Sequence, residues 1–180
     1  MDQLTNEELK ATRELLDKQA IYENVLKYCR GADRLDLELL KDSYWEDGTD
    51  DHGAFRGNAH EFCEFAVQSK GMFKSASHHV GNTQIELLGS QAKVETYFLS
   101  VQVMEAPDAN GEQFWQLGGR YKDLYEKRAG QWKILHRTCI WDWSQFQDSR
   151  PEWSKFGLDS SPNRGAFAPD DPIYASWHPS

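Results

Sequence analysis

The sequence lacks the marks of several large function classes. No apolar run in its 180 residues survives more than a few positions before a charged or polar side chain, which excludes a membrane-spanning helix. Basic clusters are missing as well. The 20 Lys and Arg are dispersed among 29 Asp and Glu, the formal charge is −9 and the pI is near 5.1. Phosphate backbones demand concentrated positive charge, so nucleic acid is excluded as a partner and the acidity reads as solubility. Cysteine is scarce: Cys29, Cys63 and Cys139 are odd in number and show no CxxC spacing. They fit reduced thiols in a cytosolic protein better than a disulfide frame or a zinc site. The opening MDQLTNEELK is acidic and polar, unlike a secretory signal or an Arg-rich transit peptide, so a cytoplasmic location is expected.

Catalytic signatures are equally sparse. There is no HExxH, no His pair at metal-binding helical spacing and no Cys/His cluster among His52, His60, His78, His79, His136 and His178, so no metal is expected. The absence of GxGxxG, GxxxxGK[ST] and GxSxG sets aside nucleotide cofactors and nucleophile-elbow hydrolases, and no cofactor is expected. What is abundant is aromatic residues: 7 Trp, 7 Tyr and 9 Phe in a chain that is 39% hydrophobic. That fills one core and leaves rings over to line a cavity. Acid–base chemistry by side chains in an aromatic pocket is the reading that remains.

Periodicity gives helices first and strands after. Residues 5–30 read as a helix, with Thr5 and Glu8 at capping-box spacing and Ile21, Val25, Tyr28 and Cys29 on one face, ended or bent by Gly31. A short helix is expected over 36–44 with Leu37, Leu40 and Tyr44 as its stripe. A turn-rich or short-strand passage follows around Gly48–Gly53, then a helix over 59–69 burying Phe62, Phe65 and Ala66. From His78 the period becomes two, with strands over 83–88, 92–105, 113–127 and 131–143 joined by hairpins at Gly89-Ser90, Pro107–Gly111 and Ala129-Gly130. This is an α+β order. After Trp143 the pattern is lost, and the remainder holds five of the six prolines together with Trp153, Phe156, Phe167, Tyr174 and Trp177. The expected division is a domain over 1–144 and an irregular segment over 145–180 that either packs on the domain or a neighbouring subunit or is disordered.

Three residues stand out for chemistry. Asp33 lies just past the first helix, where it serves either as the cap of the next helix or as a catalytic carboxylate. His79 sits at a strand start. Arg137 shares an alternating face with Cys139 and Trp141, and its charge requires either a buried ion pair or an active-site anion. By the same alternation Trp115, Leu117, Gly119 and Tyr121 share a face, as do Tyr97, Leu99 and Val101 on the strand before. Tyr97, Trp115, Tyr121 and Trp141 are therefore the expected substrate wall, or else simply core.

Residues 14–143 resemble the SnoaL-like branch of the nuclear-transport-factor-2-like superfamily, and within it the lindane dehydrochlorinase, bile-acid 7α-dehydratase and scytalone dehydratase types. Gly31-Ala32-Asp33-Arg34 matches the stretch carrying the family's catalytic aspartate, and His79-Val80-Gly81-Asn82 the stretch carrying its histidine. Gly118-Gly119-Arg120-Tyr121 is similar to a family strand, Arg137 follows Gly130-Gln131-Trp132-Lys133 at the spacing of a pocket arginine, and Tyr28 precedes Asp33 as a tyrosine does in the bile-acid enzymes. Ser100, Val101 and Trp141 depart from the bile-acid pattern, which has a carboxylate and an arginine at those places. The resemblance implies a cone-shaped barrel of a curved mixed sheet wrapped around N-terminal helices, one apolar cavity, and a homotrimer. It also implies a cofactor-independent lyase. His79 would remove a carbon-bound proton, Asp33 would hold its tautomer, and Arg137 and Tyr28 would face the leaving group or an enolate oxygen. The substrate would be hydrophobic: alicyclic, hydroxysteroid-like or aromatic. The same scaffold also serves non-catalytic ligand-binding proteins, dioxygenase small subunits, isomerases and cyclases.

Overall fold

Helix α1 (Asn6–Arg34) starts at the expected capping box: Thr5 accepts from the Glu8 backbone at 3.2 Å, and the Glu8 carboxylate accepts the Thr5 N–H at 2.7 Å. The structure, a computed structural model, describes residues 4–106, 111–149, 152–161 and 163–175. Most of the hairpin expected at 107–111 lies outside these residues, as do Trp177 and His178. Only the second half of α1 is buried, through Ile21, Val25, Tyr28 and Cys29 as the periodicity predicts, together with Asn24, Gly31 and Asp33.

Gly31 does not end this helix. The helix continues to Arg34 and stops at Leu35, which takes a left-handed φ of 50°. Gly31 instead answers a packing demand. A Cβ there would lie 2.8 Å from the backbone nitrogen of Leu40, so its absence lets α2 (Leu37–Asp42) lie directly on α1. Asp36, not Asp33, caps α2, accepting the Leu39 N–H at 3.1 Å. Asp33 is thereby placed in the last turn of α1, with its carboxylate available for other partners.

The remaining elements are β1 (Tyr44–Asp51), β2 (Arg56–Asn58), α3 (Ala59–Val67) with a 3₁₀ turn over Gln68–Gly71, β3 (Ser75–Leu88), β4 (Gln91–Glu105), β5 (Glu112–Arg128) and β6 (Gln131–Ser149). One six-stranded sheet runs in the order β2-β1-β6-β5-β4-β3, parallel at β1–β6 and antiparallel elsewhere. It is the expected mixed sheet, curved around the helices as an open cone. The passage around Gly48 is a full strand, and β3 begins at Ser75, earlier than the alternation suggests. β6 continues to Ser149 because its ladder to β5 persists as far as Ser149↔Glu112, while the exposure of its last residues erases the alternation.

Cross-strand register sorts the two faces, since residues directly opposite one another share a face. Ala92, Val94, Thr96, Phe98 and Ser100 of β4 point inward and are buried. Their β5 partners Tyr125, Asp123, Tyr121, Gly119 and Leu117 also point inward, as do Ile134, Arg137, Cys139 and Trp141 on β6. Tyr97 and Leu99 belong to the outer face and are exposed, correcting the wall expected on β4. Each large apolar side chain buried here contributes about 1.5–3 kcal/mol.

The C-terminal segment returns to the α1–α2 junction. The Ala168 N–H donates to the Arg34 carbonyl at 2.7 Å and the Tyr174 hydroxyl donates to Asp36 at 2.8 Å. Gly31→Ala forces α2 off α1, and urea unfolding is expected to show a loss of about 1–3 kcal/mol, the usual range for overpacking. An unchanged midpoint would contradict this account of Gly31.

Candidate active site

A cavity of about 390 Å³ opens between the end of α1, α3 and the inner face of the sheet. Tyr28, His52, Phe62, His78, Tyr121 and Trp141 are among its walls, and Phe167 of the C-terminal segment reaches it from outside the sheet. Its size falls within the range of small-molecule sites. Trp115 lines it too, fixed by a 2.8 Å hydrogen bond from its indole to Ser144 and by stacking on Phe146 at 5.5 Å. Of the four expected wall residues, Trp115, Tyr121 and Trp141 line the cavity. Tyr97 does not: it lies on the outer face, 5.9 Å from the Arg120 guanidinium.

Asp33 binds a histidine, but the histidine is His78. The Asp33 Oδ1 meets His78 Nδ1 at 2.6 Å, and Oδ2 accepts the His78 backbone N–H at 3.0 Å. Both side chains are largely buried. The expected partner, His79, is exposed. The register explains the exchange. His78 lies opposite Ser100, which faces inward, and His79 lies opposite Leu99, which faces out, so successive residues of β3 take opposite sides. A carboxylate on Nδ1 selects the tautomer that carries its proton there and leaves Nε2 as the basic nitrogen.

Arg137 resolves to the buried ion pair. It is fully buried and donates to Asp123 through Nε at 2.8 Å and Nη2 at 2.7 Å. Its guanidinium is packed between the Tyr28 ring at 4.0 Å and the Tyr121 ring at 3.9 Å. It is not a wall of the cavity, and the role expected for it at the leaving group is not supported by its position. It backs the two phenols that are walls. Burial pushes both phenols well above their usual range, with Arg137 opposing, so Tyr28 and Tyr121 stay protonated.

Sequence reasoning missed a second histidine–carboxylate pair. His52 Nδ1 is hydrogen-bonded to Asp50, which is buried and also accepts the Tyr44 hydroxyl at 2.7 Å. His52 Nε2 lies 3.3 Å from the Tyr28 hydroxyl, and the imidazole stacks on Phe62 at 4.2 Å. Two positions apart on an extended chain is the spacing that puts two side chains on one face, and Asp50-Asp51-His52 carries it. The signal is lost if the passage is read as a turn. Gln102 was also missed. Its Oε1 is buried with no hydrogen-bond partner among the described residues, on a residue that lines the cavity. It offers an acceptor to a substrate hydroxyl.

Phe65, expected in the core, is half exposed at the cavity wall. Cys29 and Cys63 are buried, and burial pushes their thiols up to about 12, which leaves them protonated and inert at neutral pH. Among the described residues no group of three or more His, Cys, Asp and Glu side chains is placed to hold a metal ion, and no helix is long and apolar enough to cross a membrane.

Removing one partner of a buried ion pair leaves the other uncompensated. Arg137→Met is therefore expected to destabilise the protein by about 3–5 kcal/mol, and Arg137→Met with Asp123→Leu to recover part of that loss. Chemical unfolding of the two variants checks this. Full stability of the single variant would contradict it.

Residues 13–138 match the family model described as the SnoaL-like domain. No curated protein sequence matches the chain. Among solved structures, a scytalone-dehydratase-like protein from Novosphingobium aromaticivorans is 22% identical over 79% of this chain and 97% of its own, with a TM-score of 0.66. Hexachlorocyclohexane dehydrochlorinase LinA type 2 is 17% identical over 74% of this chain and 90% of its own, also with a TM-score of 0.66. A protein from Novosphingobium aromaticivorans described as resembling the β subunit of an aromatic-ring-hydroxylating dioxygenase is 19% identical over 72% of this chain and 92% of its own, with a TM-score of 0.58. Similarity at these identities shows a shared fold.

Proposed function

The chain belongs to the SnoaL-like domain family, and on that footing we propose that it is a cofactor-independent lyase catalysing a dehydratase-type elimination on a hydrophobic alicyclic, hydroxysteroid-like or aromatic substrate. One observation carries the reading: the 2.6 Å contact between Asp33 and His78 on the wall of an aromatic cavity. His78 Nε2 takes a proton from a carbon next to a carbonyl. Asp33 holds the ring and stabilises the imidazolium that forms. Tyr28 faces the leaving group as a neutral donor. Trp115, Tyr121 and Trp141 hold the substrate mostly by apolar contact, with Gln102 as a polar point of reference.

The similarity in fold to scytalone-dehydratase-like and dehydrochlorinase structures supports this class of reaction. The fold of the dioxygenase β-subunit-like protein fits a non-catalytic role as well, and turnover by the isolated chain separates the two readings. A homotrimer is part of the same proposal, supported by exposed Leu99 and Trp143, which share one outer-face row with Gly118 and form an apolar patch that an interface would cover. Sedimentation equilibrium at micromolar concentration is expected to give a trimer of the 20.8 kDa chain, and a monomer contradicts it.

The test of function is a screen of β-hydroxy ketones, hydroxysteroids and halogenated alicyclics, followed by three variants. His78→Ala is expected to lower turnover by about 10²–10⁴, the usual worth of a positioned base. Asp33→Asn should lose most of the rate as well, because an amide accepts the wrong tautomer. His79→Ala should retain turnover and stability. Loss of turnover in His79→Ala with none in His78→Ala would sink the assignment.

A further inference from the structure

The cavity holds a second set of proton-bearing groups that the base does not use. We propose that Asp50, His52 and Tyr28 form a relay that delivers a proton to a departing hydroxyl, so that the substrate of this site is a β-hydroxy carbonyl compound and not an organic halide. The inference rests on the elimination reading above and deepens it.

Three observations carry it. First, the hydrogen bonds run without a break from Tyr44 to Asp50, from Asp50 to His52 Nδ1, and from His52 Nε2 to the Tyr28 hydroxyl. A buried carboxylate on one ring nitrogen and a phenol on the other is the arrangement that passes a proton along an imidazole. Second, His52 and Tyr28 share the cavity wall with His78, so acid and base address one substrate. They come from different elements: Tyr28 from α1, His52 from the end of β1 and His78 from β3. Third, the described wall carries no arginine or lysine, and the Arg137 guanidinium lies behind the Tyr28 and Tyr121 rings with its charge matched by Asp123. A departing halide leaves as an anion and gains most from a cation. A departing hydroxide is a poor leaving group and gains most from a proton. This wall supplies the proton.

His78 Nε2 takes the proton from the carbon next to the carbonyl, and the electron pair of that C–H bond becomes the new C=C bond. The C–O bond breaks, and its electron pair stays on oxygen. That oxygen takes the Tyr28 hydroxyl proton, and Tyr28 recovers one from His52, which enters the step as the imidazolium, with Nδ1–H on Asp50 and Nε2–H toward the Tyr28 oxygen, and leaves it neutral. Water and an α,β-unsaturated carbonyl compound leave. The proton now on His78 passes to solvent, and solvent restores the one lost by His52.

The experiment uses two substrates that give one product, 3-hydroxycyclohexanone and 3-chlorocyclohexanone, with cyclohexenone followed by its ultraviolet absorbance and the uncatalysed rate subtracted. His52→Gln removes the relay. Tyr28→Phe removes its terminal proton while keeping the ring over Arg137, and it covers the case in which His52→Gln fails to fold. Each is expected to lower the ratio of kcat/KM for the hydroxy over the chloro substrate by about 10²–10⁴, the usual worth of a positioned acid. The double variant is expected to lose no more than either single variant, because the residues act in series. His78→Ala lowers both rates together and leaves the ratio within about tenfold, as loss of a base common to both substrates requires. An unchanged ratio in both Tyr28→Phe and His52→Gln overturns the relay while the elimination reading stands. Turnover of the chloro compound alone by the wild type overturns the choice of leaving group. Turnover of neither compound overturns the elimination reading and the relay with it.

Discussion

The carboxylate of Asp33 grips His78 at two points, the backbone N–H and the ring nitrogen, and the rest of the site is arranged around that grip. One oxygen ties the last turn of α1 to the start of β3, and the other chooses which imidazole nitrogen carries the proton. A single group thus joins the helix to the sheet and sets the chemistry of the histidine. It is available because Asp36 caps α2 instead, and because α1 runs on past Gly31 to bring the Asp33 side chain under the sheet.

The aromatic floor between the two histidines is held by a second buried pair. Asp50, Arg137 and Asp123 occupy one cross-strand row on β1, β6 and β5. In the next row, Tyr121 stacks on Phe98 at 4.3 Å and meets Tyr28 edge-on at 5.5 Å. Gly119 makes room for this, since a Cβ there would meet the Phe98 ring at 2.9 Å. Arg137 sends its charge to Asp123 and its faces to the two tyrosines. The core ion pair therefore positions the phenols that line the cavity, and core stability and cavity geometry are coupled through one guanidinium.

Much of this was legible in the sequence, and the misses share a cause. The buried stripe of α1 and the hairpin ladder from β3 to β6 follow from period and turn chemistry, and the motif singles out Asp33 as a candidate. What a motif does not carry is register. Whether His78 or His79 faces inward depends on its pairing with Ser100 or Leu99, and a one-residue choice of register reverses every face of a strand. Tyr97 was placed on the cavity wall for the same reason. Asp50 and His52 escaped notice because glycines and aspartates leave the β1 passage open between a turn and a short strand. Its strand conformation comes from pairing with β6 and β2, a tertiary preference that overrides local propensity. The end of β6 was hidden in the opposite way, since a strand exposed on both faces leaves no alternation to read.

One carboxylate fixes the tautomer of His78 and leaves its neighbour alone. Long-range ¹⁵N–¹H correlation spectra of the histidine side chains test this directly. His78 is expected as the Nδ1–H tautomer with a strongly hydrogen-bonded ring proton that is lost in Asp33→Asn, while the His79 signals do not change between the two proteins. A His78 ring that carries its proton on Nε2, or whose signals ignore the Asp33 substitution, would contradict the account.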